Sequence, residues 1–223
     1  MKTYRAKRHD IIRKKQKNNS CEVLHPTQKK KQIKDILPDN KKYKILELFA
    51  GGENGYLTKL YKQYGEIDRY DKKLNTGDSY RIFHKLIYEK KVYDVIDLDP
   101  YGFPNRFFPD IFLLIKNGYM FITMPPPYVN ILNGITKQHL KCYYGAENPS
   151  LEKIQEKIIN YGLCHWRKVN FLDITEIGRL WRFAIKVKKV KATEYCNVNN
   201  QPDKEQQKIK KNKLTLWEGG IDK

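Results

Sequence analysis

The sequence predicts an α/β fold, a mostly parallel sheet that ends in an antiparallel hairpin and carries helices on both faces. Three observations lead there. Short apolar runs of strand character recur at 44–49, 66–70, 93–98 and 119–124. Segments with helical spacing separate them at 56–64, 79–90 and 107–116, and such alternation requires right-handed crossovers between parallel strands. A further helical pattern at 150–161 is followed by two apolar stretches, 164–171 and 179–188, with a turn at Glu176-Ile177-Gly178 between them.

Taken in order, residues 1–20 are dominated by Lys, Arg, Asn and Gln and have little to bury, so they read as a flexible basic arm. Residues 28–36 hold a short amphipathic pattern through Ile33, Ile36 and Leu37 that stops at Pro38-Asp39-Asn40. The run Lys44-Ile45-Leu46-Glu47-Leu48-Phe49 is a first buried strand, and Glu66 to Tyr70 a second. Residues 79–90 place Ile82, Phe83, Leu86 and Ile87 on one helical face. Tyr93 to Leu98 is the third strand. Phe107 to Lys116 reads as a helix, and Gly118 opens a strand from Tyr119 to Met124 that Pro125-Pro126-Pro127 ends. Ser150 caps the next helix. From Lys189 onward periodicity is lost. The reading is a domain over 21–190 with a basic arm before it and a basic polar tail, 191–223, behind it.

Charge narrows the partners. The 223 residues carry a formal net charge of +19, which favours a polyanion such as RNA or DNA through phosphate neutralisation and counterion release. Arg5, Lys7, Arg8, Arg13, Lys14 and Lys15 of the arm are the candidate phosphate contacts. Four cysteines at 21, 142, 164 and 196 are too scattered for a zinc clip, so no metal is expected. No run is apolar enough for a membrane span, and Met1 to Arg5 leads into charge rather than a signal-peptide core. The expectation is a cytoplasmic protein with reduced thiols.

Two loops carry the chemistry. Glu47, Phe49, Ala50, Gly51 and Gly52 form a turn between strand and helix, where glycine lets the backbone approach a ligand closely. Asp71 follows Gly51 by 20 residues, at the end of the second strand, where a carboxylate can accept from ribose hydroxyls. Asp78 is read as a contact to an adenine amino group. A phosphate loop of the Gly-Lys-Ser/Thr kind is absent, which argues against an NTPase.

The second loop is Asp97-Leu98-Asp99-Pro100-Tyr101-Gly102. Asp99 and the Pro100 carbonyl sit side by side at a strand's C-terminal edge, two acceptors suited to both hydrogens of an amino group. Gripping those hydrogens would aim a delocalised lone pair at an electrophilic carbon and stabilise charge developing on nitrogen. Tyr101 or Phe103 offers an aromatic face for an extruded base. Asp97, two residues from Asp99, leaves the strand on the same side and is read as shaping the cofactor side of the pocket.

These residues resemble a known family. Asp97-Leu98-Asp99-Pro100-Tyr101-Gly102 looks like the signature of the tRNA guanine-N2 dimethyltransferases. Val129-Asn130-Ile131-Leu132-Asn133-Gly134 and Cys142-Tyr143-Tyr144-Gly145-Ala146 fall where that family has a similar loop after a strand. The resemblance covers roughly residues 44–162. It implies a Rossmann-like class I methyltransferase fold with a seven-stranded sheet. It also implies S-adenosyl-L-methionine as donor, an RNA guanine amino group as acceptor, Asp99 as the amine-binding residue and Asp71 as the ribose acid.

Three departures stand beside it. Glu53 occupies the place of a customary third glycine, a role Gly55 can take through a longer turn. The chain is too short for the family's large C-terminal tRNA-binding region. His25-Pro26-Thr27-Gln28-Lys29 resembles a segment of DNA adenine-N6 and cytosine-N4 methyltransferases that helps hold the donor's methionine end. The alternatives are therefore a DNA amino-methyltransferase or a catalytically silent nucleic-acid-binding module.

Overall fold

A computed structural model describes residues 25–52, 55–100, 102–127, 136–178 and 180–191. Contacts divide the chain into Met1–Lys189 and Val190–Lys223; the sheet and its helices belong to the first. The arm, Tyr101, Glu53, Tyr128 and the loop 129–134 lie outside the described residues.

The first helix, α1, spans Pro26–Ile36 and starts on a proline, which costs nothing where the amide would lack a partner anyway. The parallel strands are β1 (Tyr43–Glu47), β2 (Gly65–Arg69), β3 (Tyr93–Leu98) and β4 (Ile115–Met124). Helices α2 (Tyr56–Tyr64) and α3 (Ser79–Tyr88) join the first three. Helices α4 (Lys137–Tyr144) and α5 (Leu151–Leu163) precede β5 (Arg167–Ile177) and β6 (Leu180–Lys189). Strand β6 inserts antiparallel against β4, and β5 pairs antiparallel with β6 at the edge. The sheet order is β2-β1-β3-β4-β6-β5, a Rossmann-like arrangement.

Alternation along each strand sends side chains to two cores. Ile45, Val95, Phe121 and Ala184 pack under α1 and α2 with Ile33, Leu37, Leu57 and Leu60. Leu46, Ile96, Leu98, Ile122 and Ile185 face the other way, toward Phe83 and Leu86 of α3, Leu140 of α4, and Ile154 and Ile158 of α5. Each such side chain, fully buried, contributes roughly 1.5–3 kcal/mol of transfer free energy.

Three expectations change. The sheet among the described residues has six strands, not seven. Only residues 89–92 separate α3 from β3, too few for another parallel strand and its crossover. Residues 107–116 are not a helix: 3₁₀ turns at Asn105–Phe107 and Asp110–Leu114 lead straight into β4. Pro109 removes an amide and pushes its neighbour out of helical geometry, which overrides the apolar spacing there. Helix α4 was read as loop. Its start is a capping box, with Thr136 Oγ1 accepting from the His139 amide at 3.3 Å, and Gly145 ends it at φ 75°.

Candidate active site

Helix α2 carries the chain from β1 to β2 along one face, and α3 carries it from β2 across to β3 along the other. The strand order therefore reverses between β1 and β3, and ligands of open α/β sheets bind outside the carboxyl ends at such a point. The ends are level: Glu47 pairs with Arg69 on one side and Asp97 on the other. Beyond them emerge the glycine turn, Asp71 and Asp99, side by side in the expected order. Backbone bonds hold them there: the Tyr70 amide donates to the Glu47 carbonyl at 2.9 Å, and the Ala50 amide to the Tyr70 carbonyl at 3.3 Å.

Two glycines shape the turn between β1 and α2. Gly51 has φ 71°, and its amide donates to Asp71 Oδ2 at 3.1 Å. Gly55, which opens α2, is closely surrounded: a Cβ there would lie 2.5 Å from the Ala50 carbonyl oxygen and 2.5 Å from Thr58 Oγ1. Arg69 Nη2 donates to the Gly52 carbonyl at 2.9 Å, and Ser79 Oγ to the Leu48 carbonyl at 2.7 Å. Phe49 meets Phe107 edge to face at 5.6 Å, on the aromatic side of the turn.

Asp78 has a different neighbourhood from the one expected. Its Oδ1 accepts from the Tyr80 and Arg81 amides at 3.0 and 3.3 Å, so it is the N-cap of α3. Its Oδ2 lies 3.2 Å from the exposed Lys72 ammonium, and that hydrogen-bonded contact, with the capping amides, lowers its pKa.

Asp97 and Asp99 leave β3 on the α1 side but meet different surroundings. Asp97 is 1% exposed and takes a bidentate clamp from the fully buried Arg182, at 3.2 and 2.8 Å. Tyr61 Oη donates to its Oδ2 at 2.6 Å, and Arg182 Nη1 also reaches Thr123 Oγ1 at 2.7 Å. Burial, the largest single effect, pulls the Arg182 pKa down, but Asp97, Tyr61 and Asp99 together outweigh it and the net shift is upward. Asp97 thus sits in a closed buried network; it shapes the site from beneath.

Asp99 lies two residues beyond the last β1–β3 pair, at the mouth, with its side chain 16% exposed. Lys29 of α1, only 1% exposed, donates to its Oδ2 at 2.5 Å. Burial, the largest effect, leaves the Lys29 pKa below its ordinary value, with Arg182 adding to the fall and Asp99 and Asp97 opposing it. The Pro100 carbonyl accepts from the Gly102 amide at 2.9 Å in a tight turn, with Gly102 at φ 122°. A carbonyl oxygen has two lone pairs, and this turn takes one of them.

Glu47 completes the floor. It accepts from Thr58 Oγ1 at 2.6 Å and lies 3.6 Å from Arg69 Nε. Burial, the dominant cause, pushes its pKa up to about 7, with Asp97 and Asp99 adding to the rise and Thr58 and Arg69 opposing it.

Phe103 is 9% exposed and tilted against Tyr144, with centroids 6.4 Å apart, so it is a packing residue rather than an open stacking face. Sequence reading missed Arg182 and Tyr61. The signal for Arg182 was a lone charge within the apolar run Leu180 to Ile185, matching Asp97, an acid set between the apolar Ile96 and Leu98 of its own strand. An open hollow of about 310 Å³ lies elsewhere, on the outer face of α1, lined by Thr27, Lys30, Lys31, Lys34, Asp35 and Tyr56. Among the described residues no cluster of three or more His, Cys, Asp or Glu could hold a metal, and no helix is long and apolar enough to cross a membrane.

No protein-family model and no curated protein matches the chain. Solved structures do. Trm1 from Pyrococcus horikoshii, in complex with S-adenosyl-L-methionine, is 15% identical at a TM-score of 0.46, over 71% of this chain and 53% of its own. A methyltransferase from Pyrococcus furiosus is 13% identical at 0.44, over 76% of this chain and 86% of its own. The putative methyltransferase yhhF from Escherichia coli is 8% identical at 0.43, over 78% and 90%. The chain thus spans about half the length of the Trm1 structure.

Proposed function

We propose that this chain is an S-adenosyl-L-methionine-dependent methyltransferase that modifies the exocyclic amino nitrogen of a nucleic-acid base, most like a tRNA guanine-N2 methyltransferase. One observation carries the reading: Asp99 and the glycine turn emerge level with each other at the point where the strand order reverses.

The residues fit the donor. Gly51 at positive φ and Gly55 without space for a Cβ give a bare backbone cradle, and Asp71 is tied to it through the Gly51 amide. Phe49, Ala50, Gly51, Gly52 and Asp71 would hold the nucleoside. Asp78 is left only Oδ2 for an adenine edge, since Oδ1 caps α3. Glu47 and Asp97 set the negative charge beneath. When bound, the donor supplies a methyl group on positively charged sulfur.

The chain's own contribution is to hold the acceptor. Ionised Asp99 and the second lone pair of the Pro100 carbonyl accept the two amino hydrogens. That grip pulls the lone pair out of conjugation and stabilises positive charge as it grows on nitrogen. Alignment at near-attack distance supplies the remainder. Tyr101 is kept as the stacking residue. The net charge of +19 supports a polyanionic acceptor, with the arm residues Arg5 to Lys15 on phosphates.

A DNA adenine-N6 or cytosine-N4 acceptor is the second reading. It is favoured by Lys29, because the His25–Lys29 segment that resembles those enzymes reaches Asp99. The test is incubation with methyl-labelled donor and either bulk tRNA or denatured DNA, followed by mass spectrometry of the nucleosides. N2-methylguanosine from tRNA supports the first reading, and an N-methylated adenine or cytosine from DNA the second. A protein that S-adenosylhomocysteine does not stabilise, and that labels neither polymer, refutes both. At a hundred times its Kd the ligand stabilises by about 2.7 kcal/mol, which a thermal shift reads easily.

A further inference from the structure

Lysine is almost never fully buried unless paired, because its ammonium loses hydration that apolar surroundings cannot return. Lys29 is 1% exposed, and its contact with Asp99 bridges helix α1 to the end of β3. The helix does not need that contact to stay in place. Ile33 and Leu37 pack into the core beneath it. Gln32 Nε2 donates to Asp173 Oδ2 at 2.6 Å, to the Arg182 carbonyl at 3.1 Å and to Thr175 Oγ1 at 3.2 Å. His25 packs against Gly178 so closely that a Cβ there would fall 2.5 Å from its ring. Replacing a buried ion pair with apolar packing is often neutral or stabilising, so fold stability alone gives little reason for a lysine at this position.

The surroundings of Asp99 supply a reason. Asp97 lies two residues away on the same face, and Glu47 is close enough for Asp99 to raise its pKa. Three acids thus lie near one another at the carboxyl ends of β1 and β3. Arg182 and Tyr61 engage Asp97, and Arg69 and Thr58 engage Glu47. Lys29 is the cation set against Asp99.

We propose that Lys29 is a positioning residue that makes the site select a primary amine. It rests on the reading of Asp99 as the amine-binding acid and adds how that acid is kept in its working state. With Oδ2 held by Lys29, the carboxylate cannot rotate, and only Oδ1 and the Pro100 carbonyl face the acceptor. As a carboxylate, Asp99 presents acceptors only, which fit an NH₂ and repel a keto oxygen or an unprotonated ring nitrogen. A protonated Asp99 would do the reverse: it would donate, and the amino group would lose one of its two partners. Lys29 therefore sets both the direction and the polarity of the grip.

The test uses Lys29→Met, Lys29→Gln and Asp99→Ala in the full chain. The first readout needs no donor or acceptor: the Asp99 carboxyl carbon is followed by carbon-13 NMR against pH. Lys29→Met should move that signal's midpoint upward, because the ammonium on Oδ2 is gone while Asp97 and Glu47 remain and Arg182 is the cation left nearby. An unmoved midpoint overturns the proposal. The second readout is methyl transfer from labelled S-adenosylmethionine to tRNA or denatured DNA. Lys29→Met should lower kcat about a hundredfold at neutral pH with the donor KM within threefold, and shift the acid limb of the rate profile toward neutrality. Lys29→Gln keeps a donor on Oδ2 without the charge. It should recover rate above that limb yet keep the shifted limb. A Lys29→Met enzyme with the wild-type rate and profile sinks the inference alone. An Asp99→Ala enzyme with full activity sinks the amine-grip reading on which it rests. Should Lys29→Met not fold, the Lys29→Gln titration decides, by the same midpoint.

Discussion

Asp97, in β3, and Asp99, just past its end, are two residues apart, face the same side and are each paired with a cation, yet the structure gives them opposite environments. Asp97 is sealed, with both oxygens taken by Arg182 and one shared with Tyr61. Asp99 is one pleat further on, past the end of the ladder, and only its Oδ2 is held by Lys29. The difference is a matter of level. Up to the last paired residue an acid is surrounded by sheet, helix and neighbour strands, and it must be fully satisfied. One step beyond, the same residue type meets the crevice. Chemistry is thus assigned by where the strand ends, not by residue identity.

The sharpest way to break the comparison is to neutralise the sealed acid. Asp97→Asn leaves the fully buried Arg182 without its counter-charge, and breaking such a pair costs roughly 3–5 kcal/mol. Against a typical total of about 5–15 kcal/mol this is a large share. Urea denaturation should show a much lower midpoint at unchanged slope. A midpoint within experimental error of wild type would mean that the network is not holding the fold.

Neutralising the mouth acid should act on turnover instead. Asp99→Asn keeps the shape but turns one acceptor into a donor that opposes the substrate's N–H. Loss of one such transition-state contact is worth about 10²–10³-fold in kcat, or roughly 2.7–4 kcal/mol. Donor affinity, measured by calorimetry, should stay within threefold. A variant that binds donor poorly but turns over normally would reverse the roles assigned to the two acids.

Much of this contrast was readable beforehand. Strand β3 was placed at Tyr93 to Leu98 from its apolar run, and the structure has the same limits. Its parity put both acids on one side. Helix α2, Tyr56–Tyr64, also matches its spacing. Local pattern did well because it carries the period of the element. What it could not carry was the partner across the fold. Arg182 is 85 positions from Asp97, and Lys29 is 70 from Asp99. Spacing puts Lys29 four residues before Ile33 on the buried face of α1, but nothing local shows whether a lysine there finds an ion partner. Residues 107–116 failed for the complementary reason: their apolar spacing is helical, but Pro104 and Pro109 cut the segment into short turns.

The third acid of the floor gives an intermediate case that pH can probe. Glu47 has its pKa pushed up to about 7, chiefly by burial, from an ordinary 4.5. Between those values the folded protein holds more protons than the unfolded chain, so stability contributed here falls as pH rises. The loss is at most about 3 kcal/mol between pH 4.5 and 7, and it is complete above 7. Unfolding free energies of wild type and Glu47→Gln at pH 5 and pH 8 isolate it. The wild type should lose stability relative to the variant over that interval. A constant difference would show that Arg69 and Thr58 already neutralise the burial cost.

The smallest effect concerns an acid outside the floor, Asp78, where the sequence suggested ligand contact and the structure shows a helix cap. Replacing this N-cap Asp by Ala removes the acceptor of the Tyr80 and Arg81 amides, a small but measurable loss. The ammonium of Lys72, 3.2 Å away, is exposed and adds little to that. Asp78→Ala should therefore lower the midpoint of unfolding by a few degrees. Donor affinity separates the two roles. If the cap is its whole function, S-adenosylhomocysteine binds the variant as tightly as wild type once the protein is folded. If Oδ2 also reaches the adenine edge, Kd rises several-fold while the loss of stability stays the same. The second outcome would extend ligand contact from Asp99 across to α3, so that Asp71, Asp78 and Asp99 all serve the ligand. The first would confine that service to Asp71 and Asp99 and leave Asp78, like Asp97, a residue whose charge is spent on the fold.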